Sequence, residues 1–210
     1  MGDIRIENFL YPYVRFLNAS PSVEKADFYL GNSLASPSLG IGCFSGYVRV
    51  PVGVSEFTIT QAGNKNHVIA TISLPFRQGE VYTIATVHSD GKTMAYGIKE
   101  PAERDNTNYG HLRVCHLCPV LGSVDVKANE YNILGDIDYL EISKYICLLP
   151  GKYEFAFSDA NTNNTKLVMP CQNVLPGKYN TLYIVGNNTE KAPLMGLFSV
   201  DAASYSGYYL

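Results

Sequence analysis

The sequence is written twice, and nothing else in it constrains the fold as much. A constant offset of 98 positions carries Arg15 onto Arg113, Pro21 onto Pro119, Asp27 onto Asp125 and Tyr47 onto Tyr145. The same shift carries Gly53 to Gly151, Glu56 to Glu154, Phe57 to Phe155, Gly79 to Gly177 and Thr83 to Thr181, without a gap. A repeat of this length is too long for a solenoid unit and suits a domain with its own core, so two related domains in tandem are expected. Their expected extents are residues 1–102 and 110–210, the second ending in a Tyr-rich tail. The charged, aromatic-poor stretch from Glu100 to Asn108 (EPAERDNTN) lies between them, and residues 103–109 are the expected linker.

Within each half, short runs rich in Val, Ile, Tyr, Phe and Thr alternate with Gly, Asn, Pro and Asp, the pattern of an all-β sandwich. Strands are predicted near 12–18, 25–31, 45–51, 55–61, 67–74, 80–88 and 94–99. Their mirrors fall near 111–117, 123–128, 143–149, 152–158, 165–169, 178–186 and 193–199. The expected fold class is therefore two immunoglobulin-like or transthyretin-like β-sandwiches of about seven strands each. No 3.6-residue apolar period of helical length appears, although the connections at 33–44 and 130–142 leave room for short helical turns. Pro51-Val52-Gly53, Gln78-Gly79, Leu149-Pro150-Gly151 and Pro176-Gly177 read as corners, since Pro presets φ and Gly tolerates a positive one.

Alternation gives the expected core. Val14, Phe16, Phe28, Leu30, Val48, Val50, Phe57, Ile59, Tyr82 and Ile84 face inward in the first repeat. In the second the set is Leu112, Val114, Val126, Ile146, Leu148, Phe155, Phe157, Leu182 and Ile184. The opposite parity holds Arg15, Asp27, Arg49 and Glu56, which suits a solvated face. On that parity Arg15 with Asp27, and Arg113 with Asp125, are expected to form a repeated structural ion pair across neighbouring strands.

Composition narrows the function classes. A net charge of -3 without a basic run leaves no footprint for nucleic-acid binding. No apolar stretch approaches the roughly 20 residues of a membrane-spanning helix. The opening MGDIRIENFLYPYVRF lacks the basic start, apolar core and small-residue cleavage site of a secretory signal. Five cysteines are an odd number, and four of them (Cys115, Cys118, Cys147, Cys171) align with Leu17, Ser20, Arg49 and Ser73 in the first repeat. A fold that forms once without them does not require bridges, so reduced thiols are expected, with one disulfide in the second repeat as the competing reading.

Chemistry-bearing constellations are sparse. Cys115-His116-Leu117-Cys118 is the one cluster of metal-ligand types. A zinc site needs two further ligands and a tight knuckle, whereas this pair ends a predicted strand on which residues three apart face opposite sides. A redox CxxC needs a helix N-terminus to lower its thiol pKa, and no helix follows. Cys115, His116 and Cys118 are therefore weak metal candidates, and no cofactor is expected. Ser45-Gly46-Tyr47 and Ser143-Lys144-Tyr145 read as residues that open strands. There is no GxSxG, HExxH or Gly-rich phosphate loop, so no catalytic residue is assigned. Sixteen Tyr with no Trp suit contact surfaces, although most are expected to fill sheet faces.

The stretches YVRFLNASPSVEKADFYL and HLRVCHLCPVLGSVDVKA each resemble the opening of a bacterial module, domain-of-unknown-function family 4397 (DUF4397). Members begin with a VRxxHASP-like stretch and an apolar segment containing Asp, then carry an aromatic residue and a Gly turn. Tyr47 with Val52-Gly53 and Tyr145 with Pro150-Gly151 match that later part. The family's His is Asn18 in the first repeat and His116 in the second, where Leu117 and Cys118 replace its small residues. The resemblance implies a β-sandwich on exported, secreted or cell-envelope bacterial proteins, with no established activity or cofactor. The function expected is a non-enzymatic structural or interaction protein of a bacterial cell envelope or spore surface, meeting a protein or glycan partner. The alternative is a carbohydrate- or small-ligand-binding module using loop Tyr and Asn near 62–66, 88–92, 159–165 and 186–191.

Overall fold

A computed structural model describes residues 11–101 and 107–205. Most of the expected linker and the end of the Tyr-rich tail, 206–210, lie outside the described residues. The chain is all-β and forms two compact units, one from each repeat. In the first, β1 (Tyr13–Asn18) lies between β4 (Val48–Arg49) and β7 (Val81–Ser89), with β8 (Lys92–Glu100) beyond β7. The second sheet runs β3 (Ser33–Gly40), β2 (Lys25–Leu30), β5 (Gly53–Gln61) and β6 (Asn64–Phe76). Every pairing is antiparallel except β1 with β7, which is parallel from Tyr13↔Val81 to Asn18↔Thr86.

The second unit repeats this plan. One sheet is β12 (Ile146–Leu148), β9 (Gly110–His116), β15 (Tyr179–Val185) and β16 (Met195–Val200). The other is β11 (Tyr131–Ile137), β10 (Val124–Ala128), β13 (Gly151–Asp159) and β14 (Thr165–Val174). Pairing of β9 with β15 is again parallel. Each unit is a β-sandwich of eight strands in two four-stranded sheets, one strand more than the seven expected.

The extra strand in each unit, β3 and β11, occupies the connections that leave room for short helical turns in the sequence. Both are edge strands, and both pair irregularly with their neighbours. Ser38 and Asp136, equivalent under the repeat offset, adopt φ of 49° and 55° at those irregularities. Such bulges aim a residue away from the pleat and twist the edge.

The expected inward positions line two separate cores. In the first, Phe16 stacks on Phe28 at 4.8 Å, and Phe57 meets Phe16 and Phe76 edge-on at 5.9 Å each. Val14, Val50, Ile59 and Ile84 are fully or almost fully buried around them, with Leu30, Val48 and Tyr82 at the margin. The second core keeps Phe155 and Phe157 with Leu112, Val114, Val126, Leu182 and Ile184, flanked by Ile146 and Leu148. At the equivalent corners Gly79 and Gly177 take φ of 77° and 64°, which is why glycine stands at both.

Candidate functional site

The outward parity does not leave its two arginines on β1 and β9 in water. Arg15 is 4% exposed, and Arg113 is 5% exposed. Arg15 Nε lies 2.8 Å from Thr83 Oγ1 and 3.0 Å from Glu100 Oε1, while the Thr83 hydroxyl donates to the same carboxylate. Tyr47 Oη donates to Glu100 Oε2 at 2.6 Å, and the guanidinium sits 4.7 Å from the Phe44 ring centre and 5.1 Å from that of Tyr47. A buried charge is tolerable only when paired and hydrogen-bonded, and this one is both.

The second unit rebuilds the set. Arg113 Nε donates to Thr181 Oγ1 at 2.8 Å, and Nη2 lies 3.9 Å from Asp201 Oδ2. Thr181 and Tyr145 each donate to Asp201 at 2.6 Å, with Arg113 4.8 Å above the Tyr145 ring. Burial, then the neighbouring Asp201 charge, push the Tyr145 hydroxyl far above the ordinary tyrosine range. It is a fixed donor rather than an acid at physiological pH.

The expected Arg15–Asp27 and Arg113–Asp125 pairs are corrected by this geometry. Arg15 and Arg113 belong to one sheet of each sandwich and Asp27 and Asp125 to the other, all on outward parity, so each pair is separated by the core. Asp27 instead accepts from the backbone amides of Ser38 at 2.7 Å and Gly63 at 2.8 Å. Asp125 accepts from the Asp136 amide at 2.9 Å. Both carboxylates hold the edge-strand bulge. Nor is the outer face solvated at these positions, since Asp27 is only 6% exposed, whereas Arg49 and Glu56 are exposed as expected.

The CxxC cluster does not converge. Cys115 and Cys118 are both buried, and burial pushes the Cys115 thiol up to about 12 and the Cys118 thiol up as well. His116 Nδ1 accepts from the Cys118 amide at 3.2 Å, and Nε2 faces the Gly122 carbonyl at 3.0 Å. Both ring nitrogens are thus committed to backbone, and burial lowers the ring's pKa. Its counterpart Asn18 does the same work, donating to Val23 and Leu39 carbonyls and accepting from Thr86 Oγ1 at 2.7 Å. Among the described residues no group of three or more His, Cys, Asp and Glu is placed to hold a metal ion. The five cysteines are free thiols, and Cys43, Cys147 and Cys171 are exposed. Ser45 and Ser143 each accept from a β-strand amide, Phe16 at 2.8 Å and Val114 at 2.9 Å, and so stitch a loop to β1 and β9.

What remains is an open groove of about 770 Å³ on the first unit. It lies where β2 begins and where the β5–β6 and β7–β8 hairpins turn. Ser22, Glu24, Lys25, Gln61, His67 and Lys92 give it a polar lining, and Thr93, bonded to Ser20 at 3.0 Å, closes one side. No Tyr and no Asn lines it, although two of the loops expected to bind, 62–66 and 88–92, border it. In the second unit the equivalent hairpin is longer. Its Asp159 carboxylate accepts from the Thr162 hydroxyl and from the amides of Thr162 and Asn161, which hold its pKa below the usual carboxylate value.

A family model described as "Domain of unknown function (DUF4397)" matches the sequence over residues 12–127 and 110–205. No curated protein matches the chain. Among solved structures it is similar to the crystal structure of CBMbc (family CBM26) from Eubacterium rectale Amy13K in complex with maltoheptaose. Identity there is 9% and the TM-score 0.28, covering 90% of this chain and 95% of that one.

Proposed function

The chain belongs to the DUF4397 family in two tandem copies, and from that premise we propose that it is a non-enzymatic binding protein whose first unit receives a polar ligand. The observation that carries this reading is the groove at the hairpin end of that unit. Elsewhere the buried charged groups are spent on holding sheets together, as Arg15, Glu100, Arg113 and Asp201 are. Lys25 and Lys92 against the single carboxylate of Glu24 favour a ligand carrying acidic groups, such as an acidic glycan. Without an aromatic platform, recognition rests on hydrogen bonds and charge and is weakened by salt. The setting implied by the family resemblance is a bacterial cell envelope or spore surface, with residues 103–109 linking two independent domains.

Calorimetric titration of the full chain with acidic and neutral oligosaccharides tests this. Acidic ligands are expected to bind, and Lys25→Ala/Lys92→Ala is expected to weaken binding by about tenfold or more. Binding unchanged in that double variant, or absent for all ligands, overturns the reading.

A second reading, pairing with an extended segment of a partner protein, is favoured by the β6 edge. β6 runs for 13 residues, and its one proline, Pro75, stands next to its end. The matching edge β14 is broken by Pro170 and by Cys171 at φ 58°.

A further inference from the structure

Cys147 and His111 face each other as a directly opposed pair across β12 and β9. The Cys147 Sγ lies 3.7 Å from His111 Nδ1, within hydrogen-bond reach for sulfur. The ring is held on its other sides. His111 Nε2 lies 3.1 Å from Thr107 Oγ1, and the imidazole stacks on Tyr179 with centroids 4.2 Å apart and planes 8° from parallel. His111 is 5% exposed, whereas Cys147 is exposed on an edge strand. The tautomer that donates from Nε2 to Thr107 leaves Nδ1 as an acceptor for the thiol proton. A nucleophile, a base beside it and a group orienting the base are the parts of an activated thiol.

The first repeat supplies an internal comparison. At the same two positions it carries Tyr13 opposite Arg49, with no thiol and no imidazole. Both members of the cross-strand pair therefore differ together between repeats. Of the other thiols, Cys115 and Cys118 are buried, Cys43 Sγ lies 3.8 Å from the Ile41 carbonyl, and Cys171 is exposed.

We propose that Cys147 is a thiol–disulfide exchange site, with His111 as its base and a small disulfide as its reactant. The S–H proton passes to His111 Nδ1, and the thiolate attacks one sulfur of the disulfide. A Cys147 S–S bond forms as the reactant's own S–S bond breaks. The released half leaves as a thiolate and takes the proton back from the imidazolium. Cys147 ends oxidised in a mixed disulfide, and one half of the reactant ends reduced as a thiol. Exposure of Cys147 on the edge strand leaves a side open to the near-linear approach such an attack requires.

The test uses the intact chain and needs no variant at first. Limiting dithionitrobenzoate, followed by mass-spectrometric mapping, reads which thiol reacts first, with exposed Cys43 and Cys171 as internal standards. Cys147 is expected to react about tenfold faster than either near neutral pH. His111→Gln is expected to bring it to within about twofold of Cys43 while Cys43 itself is unchanged. Hydroxyethyl disulfide should give the same order of reactivity, since the advantage resides in the attacking thiol. Equal rates for the three exposed thiols in the native chain overturn the proposal without any variant having to fold. So does a folded His111→Gln chain in which Cys147 keeps its lead.

Discussion

At the residue scale, the outward face of one sheet in each sandwich is organised around one buried cation and its partners. Most of that set is legible in the sequence, because Arg15/Arg113, Tyr47/Tyr145 and Thr83/Thr181 all recur at the repeat offset. The carboxylates are not, since Glu100 and Asp201 stand 101 apart, three residues beyond the offset. The longer β15–β16 connection absorbs the difference, while backbone pairing restores the register at Tyr179. Choosing Asp27 and Asp125 as the partners instead followed from parity alone, and parity says which way a side chain points but not which sheet carries it. The consequence is measurable. Glu100→Gln leaves Arg15 buried without its counter-charge, and the first unit should lose about 3–5 kcal/mol in denaturant unfolding. A loss under about 1 kcal/mol, the scale of an exposed pair, would contradict the role assigned to it.

At the element scale, the strands read correctly where Val, Ile, Phe and Tyr alternate and were missed where they do not. β3 is SLASPSLG and β11 is YNILGDI, rich in small, polar and turn-forming residues, yet both pair at a sheet edge. Edges tolerate a proline such as Pro37, because one side of the strand has no ladder to break. The bulge that bends them is set by Asp27 and Asp125, a local carboxylate-to-amide contact that hydrophobic periodicity does not register. Close approach is another element-level property hidden from the sequence. A Cβ on Gly186, at φ 95°, would stand 1.9 Å from the Pro193 carbonyl oxygen. On Gly196 it would stand 2.0 Å from the Met169 sulfur, the flexible end of a side chain. Gly186→Ala should therefore destabilise the second unit by about 2 kcal/mol or more, and Gly196→Ala by less, in paired thermal melts. The reverse order would mean that the Pro193 loop yields more readily than the core.

At the scale of the whole molecule, two cores with no shared residue give two places where stability is held, and the repeats differ in how each responds to acid. Burial is the main cause keeping His116 below the ordinary histidine value of 6.5, opposed by the Gly122 carbonyl and the Asp138 charge. The unfolded chain therefore binds this proton more readily than the folded one. Its contribution is complete above pH 6.5 and is lost as the pH falls from there towards the lower folded value. Calorimetry should show the transition of the second unit moving down between about pH 7.5 and about pH 5.5. His116→Asn, which copies Asn18 of the first repeat, should abolish that part of the shift. A pH response identical in both chains would remove His116 as its source.

The central parallel pairing has a consequence for how such a chain comes into being. Tyr13 meets Val81, and His111 meets Tyr179, partners 68 positions apart in each case. One edge of the opening strand can pair with β4 or β12 early, but its other edge stays vacant until most of that half has been synthesised. Because the halves share one plan, a laggard β1 would later encounter β15, the counterpart of its rightful mate. Order of arrival is then expected to count as much as affinity in keeping the twins from exchanging strands.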